Sequence, residues 1–100
     1  MPRGMSSLGD ALKAAIARSG VAEELEKYPI WTEWAALVGE TIAAHARPLR
    51  LRGTVLVVAA DGPDWIHELR FLKRDLLARL NERLGRPAIR DLYFVLARER

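Results

Sequence analysis

The sequence predicts an α+β domain of order αα-ββ-α-β, in which a small three-stranded sheet packs on helices. Three observations predict it. Two tryptophan-led segments carry apolar residues at helical spacing, an alternating run broken by Gly53-Thr54 lies between them, and a β-branched and aromatic run follows the second helix.

Ser6 and Ser7 are N-cap candidates for a first helix with Leu8, Leu12, Ala15 and Ile16 on one face and Gly20 at its end. A second helical pattern runs from Ala22 to about Ala46. Pro29 should kink it near Tyr28, because proline has no amide to donate and clashes with the preceding turn. Beyond the kink Trp31, Trp34, Ala35, Val38, Ile42 and His45 share one arc at 100° per residue, which predicts the buried face. Gly39, inside that helix, is expected where another backbone packs close. Pro48 should end the helix.

Leu49-Arg50-Leu51-Arg52 then alternates with period two up to Gly53-Thr54, a pair suited to a type II′ turn, and Val55 to Ala60 returns. A two-residue turn pairs Leu51 with Leu56 and Leu49 with Val58 on the helix side. Arg50, Arg52, Val55 and Val57 fall on the other face. Asp61-Gly62-Pro63-Asp64 is a turn placing Asp64 as the N-cap of a third helix that runs to Leu84 and stops at Gly85. On it Trp65, Leu69, Leu72, Leu76 and Leu80 form one stripe. Phe71 points away from that stripe, among His67, Arg70 and Arg74. The last strand, Ile89 to Ala97, sets Leu92, Phe94 and Leu96 against Asp91, Tyr93 and Val95.

One hundred residues, half of them hydrophobic, suit a single domain over residues 1–100 with a flexible start (1–6) and a charged tail (97–100). Without cysteine there is no disulfide, thiolate metal site or thiol nucleophile, and cytosolic residence is expected. No apolar run suggests a membrane span or a secretory signal, and no membrane partner is expected. Net charge is +3, divided unevenly. Residues 1–46 hold four Lys+Arg against six Asp+Glu, whereas residues 47–100 hold twelve against seven. Thirteen of the sixteen cations are arginine, whose planar fork suits phosphate or carboxylate. Composition leaves nucleic-acid binding open, so placement decides.

Strand alternation puts Arg50 and Arg52 on one face just after Arg47. Tyr93 joins them if the last strand joins the hairpin, which predicts a nucleic-acid surface with a ring for base stacking. Should the first helix cover that face, Arg70, Arg74 and Phe71 become the better site. His67, Arg70, Phe71 and Arg74 are the candidate partner contact. Trp34, Trp65 and Leu69 are expected core residues, and His45 a hydrogen-bonded residue fixing the turn at Pro48. The two histidines have no ligand-spaced companions, so no metal or other cofactor is expected. Asp61 and Asp64 are a carboxylate pair better explained by turn and cap chemistry, and no phosphate loop occurs. No enzymatic activity is expected.

The series Trp34-x-x-Leu-Val-Gly39, Ile42, His45-Ala46-Arg47-Pro48, Leu56-Val57-Val58, Trp65-x-x-Glu68-Leu69 and the Leu-rich helix through Asn81 resembles the DciA family over residues 6–96. The family comprises bacterial operators of the replicative helicase. The resemblance implies an αββαβ domain like a type II KH fold, association with a DnaB-type hexameric helicase and with single-stranded DNA, residence at the nucleoid during replication, and no ATPase of its own. Two departures stand out. KH domains that grip nucleic acid use a Gly-x-x-Gly loop between helices, whereas Asp61-Gly62-Pro63-Asp64 has one glycine and two carboxylates. Many members also carry a long basic extension that this stretch of sequence does not include. A stand-alone KH-type nucleic-acid binder is the alternative function.

Overall fold

The computed structural model describes residues 3–19 and 25–98. Its elements are α1 (Arg3–Ser19), α2 (Pro29–Thr32), α3 (Trp34–Val38), α4 (Glu40–Ala43), β1 (Ala46–Arg52), β2 (Val55–Ala60), α5 (Pro63–Phe71), α6 (Lys73–Leu84) and β3 (Asp91–Leu96). Gly20 and Ala22, expected to end one helix and begin the next, lie outside the described residues, as do the last two residues of the tail. None of the described helices is long and apolar enough to cross a membrane.

The sheet order is β1-β2-β3, with β1 antiparallel and β3 parallel to the central strand β2. A parallel partner needs a crossover, and α5 with α6 supplies it. The mixed α+β architecture with three strands is the one the sequence predicts. Leu56, Val58 and Ala60 of β2 join Leu92 and Phe94 of β3 in a core closed by Leu69, Leu76 and Leu80 from α5 and α6 and by Ile30, Trp34, Val38 and Ile89. Val57 and Ala59 point to the opposite face yet are also buried, in register between neighbouring strands. Such burial on both faces is typical of a central strand.

Several local expectations are corrected. The first helix begins at Arg3, so Ser6 and Ser7 lie inside it and do not cap it. From Leu8 to Ala15 its side chains are exposed, so α1 does not cover the sheet. The second helical pattern is broken by a turn at Lys27-Tyr28, as Pro29 predicts, but beyond it the helix is three short pieces, interrupted again at Glu33 (φ −122°, ψ 22°) and at Gly39 (φ 98°, ψ 150°). These breaks rotate the pieces relative to one another, so a single arc does not hold. Trp34 and Val38 are buried and Ile42 and His45 half-buried, while Trp31 and Ala35 are exposed. A Cβ added at Gly39 would meet nothing within 4 Å. The glycine is therefore there for its left-handed backbone, not for a close approach.

Helical structure stops at Ala43, ahead of Pro48, which lies within β1. The turn at Gly53-Thr54 is as expected: only Gly53 has positive φ (62°), which fits a type II′ turn. Leu51 pairs with Leu56, but Val58 faces Pro48, because Leu49 is an extra residue in a β-bulge. Gly62, not Asp64, occupies the N-cap of α5. Asp64 sits in the first turn, where its charge favours the helix dipole.

The third helix divides at Leu72 (φ −94°, ψ 4°) into α5 and α6. Its predicted stripe still faces inward, with Leu69, Leu76 and Leu80 buried and Trp65 and Leu72 half-buried. Gly85 (φ 81°) ends α6 by donating its N–H to the carbonyls of Asn81 and Glu82. Asn81 then clamps the way into β3. Its Nδ2 donates to the Ile89 carbonyl (2.8 Å) and its Oδ1 accepts the Ile89 N–H (2.9 Å).

Candidate functional site

The outer face of the sheet begins with β1. Strict alternation would put Arg47 on the opposite face from Arg50 and Arg52, because 47 and 50 differ in parity. The bulge at Leu49 absorbs one residue and restores Arg47 to their side. The rows across the sheet become Arg52–Val55–Asp91, Arg50–Val57–Tyr93 and Arg47–Ala59–Val95. Tyr93 therefore joins Arg50 on one face, as the sequence predicts. All three arginines are exposed, and Tyr93 is 61% exposed. With strands about 4.8 Å apart, Arg50 and Tyr93 stand roughly 10 Å from each other across small apolar residues.

Ion pairing separates this face from the clamped part of the basic surface. Four cations on and after α6 are matched: Lys73 with Asp91 (2.9 Å), Arg79 with Asp75 (3.5 Å), Arg83 with Glu33 and Arg86 with Glu26 (both 2.8 Å). Arg47, Arg50 and Arg52 pair with no carboxylate among the described residues, and neither do Arg70 and Arg74. Unmatched guanidinium groups sharing a face form a field for a polyanion, whereas matched ones hold elements together.

Glu33 accepts hydrogen bonds from Nε and Nη2 of Arg83, which hold its carboxyl below the ordinary value. Asp91 is lowered likewise, chiefly by the hydrogen bond from Lys73 and further by the Leu92 N–H.

The second cluster lies where α5 meets α6. Phe71 is 74% exposed, as its position opposite the leucine stripe predicts, and its ring meets His67 edge to face at 5.1 Å. Arg70, Phe71, Lys73 and Arg74 border a cleft of about 520 Å³ whose other wall is β3, from Asp91 to Phe94. Tyr93 belongs to both regions, so they are continuous around the β3 edge. Sequence reasoning missed Lys73, Arg47's route to the outer face and the involvement of the strand edge. Pro48, a residue that favours edges and irregular strand positions, is the signal for the bulge.

The remaining named residues take structural positions. Trp34 Nε1–H donates to the Ala46 carbonyl at 2.9 Å, tying α3 to the start of β1 inside the core. His45 Nδ1 lies 2.9 Å from Asp61 Oδ2, its ring stacks on Trp65 at 4.5 Å, and its carbonyl accepts the Asp61 N–H. His45 thus pins the β1 start to the β2 end, the structural role expected of it, although the turn it holds lies at Ala44-His45 and not at Pro48. Half-buried Trp65 also lines a groove with Thr41, Ile42, Asp64, Glu68 and Leu72.

Asp61 is engaged by His45 while Asp64 borders that other groove, so the two carboxylates serve separate places. Among the described residues no three His, Cys, Asp or Glu gather as a metal set. The segment 61–64 joins a strand to a helix. The junction between α5 and α6, at Leu72, contains no glycine.

A family model described as "Dna[CI] antecedent, DciA" matches residues 7–94. The chain belongs to the DciA family. Curated relatives of this DciA-family chain include UPF0232 proteins from three bacteria. That of Mycobacterium tuberculosis is 33% identical over 85 residues, covering 85% of this chain and 46% of the relative. The Rhodococcus jostii protein is 34% identical over 83 residues, covering 82% and 44%. The Corynebacterium glutamicum protein is 31% identical over 90 residues, covering 90% and 51%. The DciA-type chain thus spans about half the length of the curated relatives it matches.

Proposed function

We propose that this domain is a replication accessory module that binds a DnaB-type replicative helicase and assists its placement on single-stranded DNA. Membership in the DciA family supports the replication role. The observation that carries the DNA half is the bulge-aligned set Arg47, Arg50 and Arg52, which faces solvent beside Tyr93 without carboxylate partners among the described residues. Guanidinium groups neutralise phosphates and Tyr93 offers a base a stacking surface, a combination that tolerates any sequence. The cluster His67, Arg70, Phe71 and Arg74 is the helicase-facing surface, where a protruding ring surrounded by unmatched cations suits protein recognition.

Co-purification with a DnaB-type helicase after nuclease treatment tests this function. The helicase is retained by the wild-type chain, and Phe71→Ala weakens retention about tenfold without unfolding the domain, as a contact worth ~1.4 kcal/mol does. Loss of wild-type retention after nuclease treatment would leave a stand-alone nucleic-acid binder as the better reading.

A further inference from the structure

We infer that the free edge of β3 receives an extended acidic segment of a partner protein, which adds to the sheet as a fourth strand beside Arg70 and Arg74. The two edges of this sheet differ in kind. On β1, Pro48 lacks an N–H, Leu49 bulges and three arginines crowd the strand, all devices that prevent strand pairing. The β3 strand, Asp-Leu-Tyr-Phe-Val-Leu, has no proline, bulge or cation, and Leu96 on it is 55% exposed. Such an edge is a template for another strand.

Its hydrogen-bonding register follows from its inner side. The Asp91 N–H points to the Thr54 carbonyl (3.4 Å) and the Ala97 N–H to the Ala60 carbonyl (2.6 Å), so odd-numbered amides face β2. Alternation turns the N–H and C=O groups of Phe94 and Leu96 outward, while the outward Leu92 N–H is taken by Asp91 Oδ1 at 2.9 Å. An incoming strand therefore finds the Leu92 carbonyl and both groups of Phe94 and Leu96.

The chemistry selects the occupant. Beside this edge, Lys73 is matched by Asp91, but Arg70 and Arg74 have no carboxylate partner among the described residues, and Phe71 offers an apolar contact. A segment alternating carboxylates with apolar side chains answers both. A second copy pairing β3 with β3 would bring its own Arg70 and Arg74 to the same place, setting like charges together. A phosphodiester has no donor for the outward carbonyls, whereas a peptide amide does. The inference rests on the proposed helicase-binding function only for the partner's identity, and the edge is tested without a helicase.

The probe is an acetylated, amidated heptapeptide of alternating glutamate and valine with a central phenylalanine, titrated into the full chain and followed by amide NMR and hydrogen exchange. Saturable shifts and slowed exchange at the Phe94 and Leu96 amides are expected. Arg70→Glu with Arg74→Glu should weaken binding about tenfold, as should Leu96→Pro, which removes an outward donor. Leu96→Ala, which keeps the donor, should stay within about threefold of wild type. Unmoved β3 amides in the wild-type chain, equal binding by Leu96→Pro and Leu96→Ala, or displacement of the peptide from Phe94 and Leu96 by a thymidine oligonucleotide would each overturn the inference.

Discussion

Trp34 carries two kinds of interaction that can be separated. Its ring fills the core between α3 and α6, and its Nε1–H satisfies the Ala46 carbonyl at 2.9 Å. Trp34→Phe keeps much of the packing and orphans that carbonyl, at an expected cost of about 1–3 kcal/mol in urea unfolding with an unchanged m-value. Asp91 acts on a different axis, pH. Lys73 and the Leu92 N–H hold its folded carboxyl below its ordinary value of 3.8, so its contribution is complete above that value and is lost as pH falls through the lowered one. In melts from pH 7 to pH 2, Asp91→Asn should lower the melting temperature near neutrality and flatten the acid-side loss. A parallel pair of curves would contradict this assignment. Which residues would be buried was legible where a break left the helical phase intact, as with Leu69 and Leu76 on either side of Leu72. It was misjudged for Trp31 and Ala35, because the breaks beside them turn the helix pieces out of phase.

Among elements, the hairpin was readable because its determinants are local: period-two alternation and a glycine where the turn needs positive φ. The bulge was not read, although Pro48 marks an irregular strand position, because Leu49 has the composition of an ordinary strand residue and the pairing with β2 shows which residue is supernumerary. The break at Leu72 was silent. Leucine is a strong helix former, so packing of α5 and α6 on the sheet overrides local preference there. Gly39 was noticed for the wrong reason. Its φ of 98° lies where an L side chain is strained although space is open around it. Gly39→Ala should therefore cost about 1–3 kcal/mol through backbone strain, measured by chemical denaturation. A cost within a few tenths of a kcal/mol would mean the α3–α4 joint relaxes freely.

At the scale of the whole molecule, charge is sorted by surface. Carboxylates clamp Lys73, Arg79 and Arg83 of α6, while the outer sheet face and the α5–α6 junction keep arginines, Arg74 among them, that have no carboxylate partner among the described residues. The sequence showed the basic excess after residue 46 and the common face of Arg50 and Arg52. Which of the thirteen arginines were neutralised depends on contacts as distant in sequence as Glu33 with Arg83, which no local pattern encodes. On the proposed function, the outer sheet face would take a DNA strand and the α5–α6 junction the helicase. The most direct test is salt-dependent binding of a thymidine oligonucleotide, measured by fluorescence anisotropy for the wild-type chain and for Arg50→Glu with Arg52→Glu. Three phosphate contacts give a wild-type log–log salt slope of about −2. The double variant should lose that slope and most of the affinity while its melting temperature stays within about 2 °C, as for surface changes of less than ~0.5 kcal/mol. Unchanged affinity and slope in a folded double variant would contradict the assignment of the outer sheet face to DNA.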